Sequence, residues 1–265
     1  MRIFAAYLSV FLPFNINAIR QTDTSAMTHL MYHAQPDLFE TTAHVTDVGT
    51  DSRGDYIVCN QSAFYPQGGG QPADQGYLVA HNVPHPVYDV RMVDGDVRHY
   101  CALPNNLATS VNDVVTLRVD ATKRALHARY HTAGHLIAAV AERLSSDLRA
   151  LKGHQFPGEA YVLFEGILAP NVDFLTPLVH ALQTLLKQQV AVSTEEICAS
   201  DALAVTDTPS HTLPEGKKLR VCQIGAFSPV PCGGTHVKTL GDLKGLVIKK
   251  IKAKKGHTKI HYAVP

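Results

Sequence analysis

No stretch of this 265-residue chain approaches the roughly 18 consecutive apolar residues that a membrane-spanning helix needs, so no membrane partner is expected. A disulfide framework is missing too. The five cysteines, at 59, 101, 198, 222 and 232, are odd in number and widely spaced, which points to a reducing compartment and to a cytoplasmic location. Internal repeats and low-complexity tracts are also lacking. Net charge is only +1, so bulk charge neither demands nor excludes a nucleic-acid partner. With 45% hydrophobic and 18% charged residues, the chain reads as an ordinary globular protein of one large domain or two smaller ones. What it has in quantity is histidine, 15 residues, which raises the prospect of a metal site.

The start, Met1 to Phe14, carries a short apolar run after Arg2 and so looks like a weak secretory signal. Asn15 to Ala26 offers no convincing small-residue cleavage site, which favours an upstream extension or tail over residues 1–26.

Near-neutrality hides a division. Residues 21–113 hold 11 Asp+Glu against 3 Arg and no Lys, a net of 3 − 11 = −8. Residues 217–261 hold 11 Lys+Arg against Asp242 alone, a net of 11 − 1 = +10. Such a basic end suits a polyanion, or else is a solvated lysine face on a strand pair.

Residues 40–120 read as short strands. Asp94-Gly95 between two strand-like runs signals a hairpin with a type I′ turn, and Val115, Leu117 and Val119 alternate with polar neighbours. Many short strands with no long helix suggest a small barrel. Asp120 or Thr122 can then cap a long amphipathic helix, with Leu126, Ala133, Ile137, Val140, Leu144 and Leu148 at helical spacing to about Arg149. A strand over Glu159–Leu168 and a second helix from about Asp173 to Val190 follow. Further strand-like runs lie at Leu219–Phe227, Leu246–Ala253 and Lys259–Val264, which together give an α+β layer.

Two motifs carry the chemistry. His131-Thr-Ala-Gly-His135 lies inside the long helix, where residues i and i+4 sit one above the other. Cys232-Gly-Gly-Thr-His236 follows far along the chain, its two glycines allowing a tight turn that aims Cys and His at one place. Three imidazole nitrogens and one thiolate suit tetrahedral Zn2+. Each half alone is common by chance, and only their joint occurrence in the right contexts has weight. His127 extends the i+4 stripe and reads as a solvated neighbour or a support for the ligands. The other four cysteines read as core residues. Thr132 stands where the metalloprotease motif has its Glu, so hydrolysis would need water activated by the metal, a carboxylate from elsewhere or the substrate's own groups.

A third motif, Phe64-Tyr-Pro-Gln-Gly-Gly-Gly-Gln-Pro-Ala-Asp-Gln-Gly76, contains Gly68, Gly69 and Gly70 in succession. Three glycines permit close backbone approach to a ligand, and the bland alternative is a tight barrel turn. The Gly-Lys-Ser/Thr of a nucleotide-hydrolysing loop is lacking.

Together, His-Thr-Ala-x-His-Leu, Cys-Gly-Gly-Thr-His and Gly-Gly-Gly-Gln-Pro-x-Asp-x-Gly resemble the editing domain of alanyl-tRNA synthetases and its free-standing relatives, the alanyl-tRNA editing proteins (AlaX family). The likeness covers about residues 27–265. Gly153-His154-Gln155-Phe156-Pro157 with Tyr161–Gly166, and the lysine-rich close from Leu246 to Val264, look like the bacterial free-standing forms.

The resemblance implies an α+β fold. A small N-terminal β-barrel with the glycine-rich motif (27–119) would join a two-layer α/β editing domain of the threonyl/alanyl-tRNA synthetase type with basic C-terminal strands (120–265). It implies a metal-dependent aminoacyl-tRNA deacylase, a carboxylic ester hydrolase serving translation fidelity. The substrate would be alanine tRNA mischarged with serine, with glycine as a second candidate. His131, His135, Cys232 and His236 would bind one Zn2+. Gln155, Thr132, Gly69, Gly70 and Gln71 would contact the aminoacyl end or the terminal adenosine. The backbone of Gly234 and Thr235 is a candidate to stabilise an oxyanion. Lys249, Lys250, Lys252, Lys254 and Lys255 would follow acceptor-stem phosphates. Spacing alone leaves open whether the metal is catalytic or structural. One rival reading is a non-catalytic RNA-binding module with a structural zinc, and a second is an exported zinc hydrolase acting on a small ester or amide.

Overall fold

The computed structural model describes residues 27–102, 109–169, 172–198 and 218–265. The apolar start over residues 1–26 lies outside the described residues.

Strand β1 (His29–Leu30) and a single helical turn α1 (Met31–Ala34) lead into β2 (Glu40–Asp51) and β3 (Gly54–Cys59). The short β4 (Gln61–Ser62) pairs in parallel with β1. After the glycine-rich stretch come β5 (Gly76–Ala80), β6 (Val83–Val93), β7 (Asp96–Cys101) and β8 (Val114–Val119). Six of these strands close a barrel in the order β2-β3-β7-β6-β5-β8. Closure depends on the length of β2. Its first half pairs with β8 and its second half with β3, with a bulge between Val45 and Asp47 that bends it between the two partners. The β6–β7 turn has positive φ at Asp94 (53°) and Gly95 (91°), as the Asp-Gly signal requires.

Alternation along β8 sends Val115, Leu117 and Val119 inward to meet Ile57, Leu78, Val90 and Val97. His99 is a polar member of this interior. Its Nδ1–H donates to the Ile57 carbonyl (3.0 Å), and its Nε2 accepts from the Ser62 hydroxyl (2.7 Å). Burial lowers its pKa to about 4.

Asp120 ends β8 and caps helix α2 (Ala121–Leu144), its side chain accepting from the Lys123 N–H at 3.0 Å. The helix stops at Leu144 rather than near Arg149. Arg149–His154 instead forms strand β9, and buried Leu148 packs from the connecting turn. Strand β10 (Tyr161–Glu165), helix α3 (Leu175–Lys187) and strands β11 (Val192–Cys198), β12 (Lys218–Ile224), β13 (Val230–Pro231), β14 (Val247–Lys254) and β15 (His257–Ala263) complete the chain. One antiparallel sheet runs β14-β15-β10-β9 and a smaller one β11-β12-β13. The first presents Val162, Phe164, Ile260 and Tyr262 to apolar residues of α2 and α3, forming the second core. Among the described residues, no helix is long and apolar enough to cross a membrane.

Two sequence expectations are corrected here. Cys59, Cys101 and Cys222 are buried, but Cys198 is exposed, because it ends the edge strand of the smaller sheet. His127 is buried rather than solvated, and among the described residues its Nδ1 has no hydrogen-bond partner.

The glycine-rich segment is fastened to α2 by an ion pair sealed from water. Arg124 and Asp74 are 3% and 0% exposed. Arg124 Nε reaches Asp74 Oδ1 at 3.0 Å and Oδ2 at 2.9 Å, and Nη2 also bonds that carboxylate. The guanidinium further donates to the carbonyls of Pro36 and Ala63, while Asp74 accepts from the Tyr65 N–H at 2.7 Å. With nearly every polar atom satisfied, removing one partner strands a buried charge. Arg124→Ala should therefore lower stability by about 3–5 kcal/mol in denaturant titration. An unchanged midpoint would show the clamp to be dispensable.

Candidate functional site

Helix α2 brings His131 and His135 one above the other, and the turn after β13 brings Cys232 and His236 to meet them. Their candidate donor atoms all lie within 4.8 Å of one another. Cys232 Sγ is 3.5 Å from His131 Nε2 and 3.2 Å from His236 Nε2. The two motifs, far apart in sequence, thus form one cluster of three nitrogens and a sulfur.

Two side chains from behind fix which nitrogen faces the cluster. His131 Nδ1–H donates to Gln71 Oε1 at 2.6 Å, leaving Nε2 on the side of Cys232. His236 Nδ1–H donates to Thr132 Oγ1 at 3.1 Å, with the same result. Thr132 is itself saturated, donating to the Ala128 carbonyl (2.9 Å) and accepting from the Val237 N–H (3.2 Å). Gln71 bridges further, accepting from the Thr235 N–H (3.0 Å) and donating to Thr235 Oγ1 (2.9 Å). Gln71 and Thr132, which sequence reading set against the substrate, thus have their side chains buried against the ligand set.

The glycines of the Cys232 turn are required by proximity. A Cβ on Gly234 would collide with the His131 ring. The Gly234 N–H points at Cys232 Sγ (3.3 Å) and the Thr235 N–H at Gln71, so both backbone donors offered for an oxyanion are engaged inside the cluster. Arg220, on β12, holds the turn from below. Its Nη1 donates to the carbonyls of Cys232 (2.9 Å) and Gly234 (2.7 Å). Sequence reading missed Arg220. Its signal was a single charge inside the apolar run Leu219–Ile224.

Gln155 follows β9, and its N–H bonds the Gly70 carbonyl at 2.9 Å. Its side chain is wedged among three glycines: a Cβ on Gly70 or Gly153 would strike it, and one on Gly134 of α2 would come within 3.2 Å of Nε2. Gly70 also needs positive φ, 84°. Gln155 Oε1 is buried and, among the described residues, has no hydrogen-bond partner. Gly69 lies one residue before, near the Tyr65 hydroxyl. Lys249, Lys250, Lys252, Lys254 and Lys255 are exposed on β14 and its turn.

Burial sets the charge state. Desolvation holds His131 and His236 well below the ordinary histidine range, and neighbouring imidazoles lower them further. Desolvation brings His135 to about 4. The Cys232 thiol is pushed up to about 11 by burial, against the opposing pull of the Gly234 N–H and Arg220. The imidazoles are thus neutral, as metal ligands must be, and a cation at the centre would displace the thiol proton.

The chain matches two families, "tRNA synthetases class II (A)" over residues 15–123 and "Threonyl and Alanyl tRNA synthetase second additional domain" over residues 219–260. It is 29% identical over 217 residues to the alanyl-tRNA editing protein AlaX-M of Saccharolobus solfataricus, covering 80% of this chain and 89% of that protein. It is 27% identical over 237 residues to the AlaX-M of Methanosarcina acetivorans, covering 86% and 95%. The alanine–tRNA ligase of Archaeoglobus fulgidus is 30% identical over 241 residues, 85% of this chain, which spans only 24% of the ligase. The chain belongs to the family of alanyl-tRNA editing proteins.

Two tests follow from this geometry. Thr132→Val leaves His236 Nδ1 without its acceptor and should weaken the cluster's affinity for an added divalent metal about 10- to 100-fold in chelator competition. Wild-type affinity in that variant would remove the hydroxyl from the design. The second concerns pH. Between pH ~6.5 and ~4 the unfolded chain binds protons that buried His99 and the neutral cluster do not, so native stability falls as pH drops through that window. His99 alone accounts for on the order of 3 kcal/mol. The denaturation midpoint should be level above about pH 7 and decline below. A flat profile down to pH 4.5 would contradict the buried neutral histidines.

Proposed function

We propose that this protein is a trans-editing hydrolase that removes serine, and secondarily glycine, from mischarged alanine tRNA in the cytoplasm. The observation that carries the proposal is the convergence of His131, His135, Cys232 and His236 beside the unpartnered acceptor of Gln155, in a chain related to editing proteins over most of its length. In this reading residues 27–119 form the barrel unit, and residues 120–265 form the two-layer editing unit that carries the metal ligands. Residues 1–26 stand as an upstream extension.

The donor set fits zinc in ligand type and number. A zinc ion held by these four residues would supply positive charge beside the ester and tie α2 to the Cys232 turn. The chain's own groups do the rest. Gln71 and Thr132 hold the His131 and His236 rings in register. Gly69 and Gly70 let the barrel loop approach the terminal adenosine, while Gln155 faces the amino acid. Water adds to the ester carbonyl, the bond to the ribose oxygen breaks, and that oxygen takes up a proton as free amino acid leaves.

Selectivity follows from the same acceptor. A serine hydroxyl would satisfy Gln155 Oε1, and alanine would leave it buried and unpaired. The exposed lysines Lys249, Lys250, Lys252, Lys254 and Lys255 would meet tRNA phosphates.

The decisive assay is deacylation of seryl-, glycyl- and alanyl-tRNA(Ala), with bound zinc measured in parallel. Wild type should release serine and carry about one zinc per chain. His131→Ala should lose the metal and at least a hundredfold in rate. Gln155→Ala should reduce the serine-over-alanine preference by about tenfold or more. Zinc binding and RNA binding without any deacylation would sink the enzymatic reading in favour of a non-catalytic RNA-binding module.

A further inference from the structure

The sheet β14-β15-β10-β9 has a second face, which packs against neither helix. Strand alternation and register say what stands on it. On β10, Val162 and Phe164 point to the core, so Tyr161, Leu163 and Glu165 point outward. Tyr161 is paired with His154 on one side and His261 on the other, and His261 is paired with Lys250. The next outward row is Lys152, Leu163, Lys259 and Lys252. The third is Arg149, Glu165, His257 and Lys254.

The first row is a series of rings. His154 stacks on Phe156 with centroids 4.5 Å apart and planes 12° apart, and on Tyr161 at 5.2 Å and 29°. His261 continues the series at 5.5 Å from Tyr161. Lys259 Nζ lies 4.1 Å from the centre of the Tyr161 ring. The carboxylates nearby are already engaged, Glu165 with Arg149 (2.6 Å) and Glu159 with His154 (3.3 Å). Among the described residues, Lys152, Lys250, Lys252 and Lys254 have no carboxylate within salt-bridge distance. The row also adjoins Gln155 along the chain. His154 and Gln155 are successive residues, one in the ring series and the other wedged against Gly70 and Gly134.

We propose that this outer face is a platform for an unpaired RNA strand, one base of which stacks on the Tyr161 ring in place of the Lys259 ammonium, on a ring held upright by the His154–Phe156 stack, while the phosphates follow the lysine row behind. The proposal rests on the editing reading for the identity of the strand, the single-stranded 3′ end that leads to the esterified nucleotide. Rings can stack only on unpaired bases, since a duplex hides its base faces and offers lysines nothing but backbone. The ammonium of Lys259 sits on a flexible stem, so a base can replace it over Tyr161 while the cation turns to the adjoining phosphate. The crowding of cations is felt by His261, whose pKa is lowered by partial burial and then by Lys250, Lys252 and Lys259.

The test is binding of the full-length protein to two uncharged RNA hairpins, one blunt and one with a short unpaired 3′ tail, followed by fluorescence anisotropy across a salt series. The tailed RNA should bind about tenfold tighter. Tyr161→Ala should abolish that advantage and leave blunt binding as it was, while Tyr161→Phe, which keeps the ring, should preserve it. Lys252→Gln with Lys259→Gln should weaken both RNAs and lower the slope of log affinity against log salt by about one per contacting lysine. Full tail preference in Tyr161→Ala, or an unchanged slope in the lysine variant, overturns the platform. Deacylation measured alongside separates the two ideas. Deacylation with KM indifferent to these substitutions removes the platform and keeps the enzyme. A tail preference lost in Tyr161→Ala, without any deacylation by wild type, keeps the platform and removes the enzyme.

Discussion

The attachment of the glycine-rich segment to helix α2 governs the rest of the molecule. That segment belongs to the barrel, whereas α2 carries two of the four clustered side chains. Asp74 and Gln71, three residues apart on the segment, grip the helix at Arg124 and His131. One contact is a buried ion pair with its hydrogen bonds filled, strong only while both partners are present. The other sets the tautomer of an imidazole. Because Gln71 also holds Thr235 through two hydrogen bonds, the Cys232 turn is placed against the same barrel loop. Three pieces of chain are thus located relative to one another by a handful of polar side chains with almost no freedom.

That rigidity explains an otherwise costly cluster. Burial disfavours charge on three imidazoles and a thiol packed within 4.8 Å, and among the described residues the counter-charge felt by the thiolate comes from Arg220. Arg220 faces the carbonyls of the turn, so it steadies the loop more than it neutralises the sulfur. A divalent cation is the simple remedy, since neutral imidazoles donate to it directly and the thiol yields its proton to do so. In the same dry setting the buried oxygen of Gln155, which has no partner among the described residues, cannot fall back on water.

Much of this was legible in the residues. The i+4 histidines and the Cys-Gly-Gly-Thr-His turn announced a shared cluster because both have local geometries that a sequence can state. Asp94-Gly95 announced its hairpin for the same reason. Strands β9 and β11 were not legible. Arg149–His154 and Val192–Cys198 lie at sheet edges with mostly partial burial, so they lack the clean alternation of a half-buried strand such as β8. The helix was read too long because Leu148 keeps helical phase by coincidence while packing from a turn. The hydrogen bonds from Gln71 to His131 and from Thr132 to His236 could not be read from the sequence, since they depend on contacts between distant segments.

The charge division of the sequence also acquires a physical sense. The acidic excess falls over the barrel segment, and the basic excess falls over strands that the fold lays side by side. Register converts a run of lysines into a surface: alternate residues of β14 point outward, and β15 and β9 add Lys259 and Lys152 to the same row. A polyanion near the molecule is therefore repelled by one half and drawn to the other. The attracting half is the one whose edge strand runs into Gln155. Electrostatics of this kind carries no base information, so it can orient an incoming strand without choosing it. In the proposed reading, choice falls instead to a buried acceptor such as Gln155 Oε1, where a single hydrogen bond would separate two amino acids that differ by one oxygen atom.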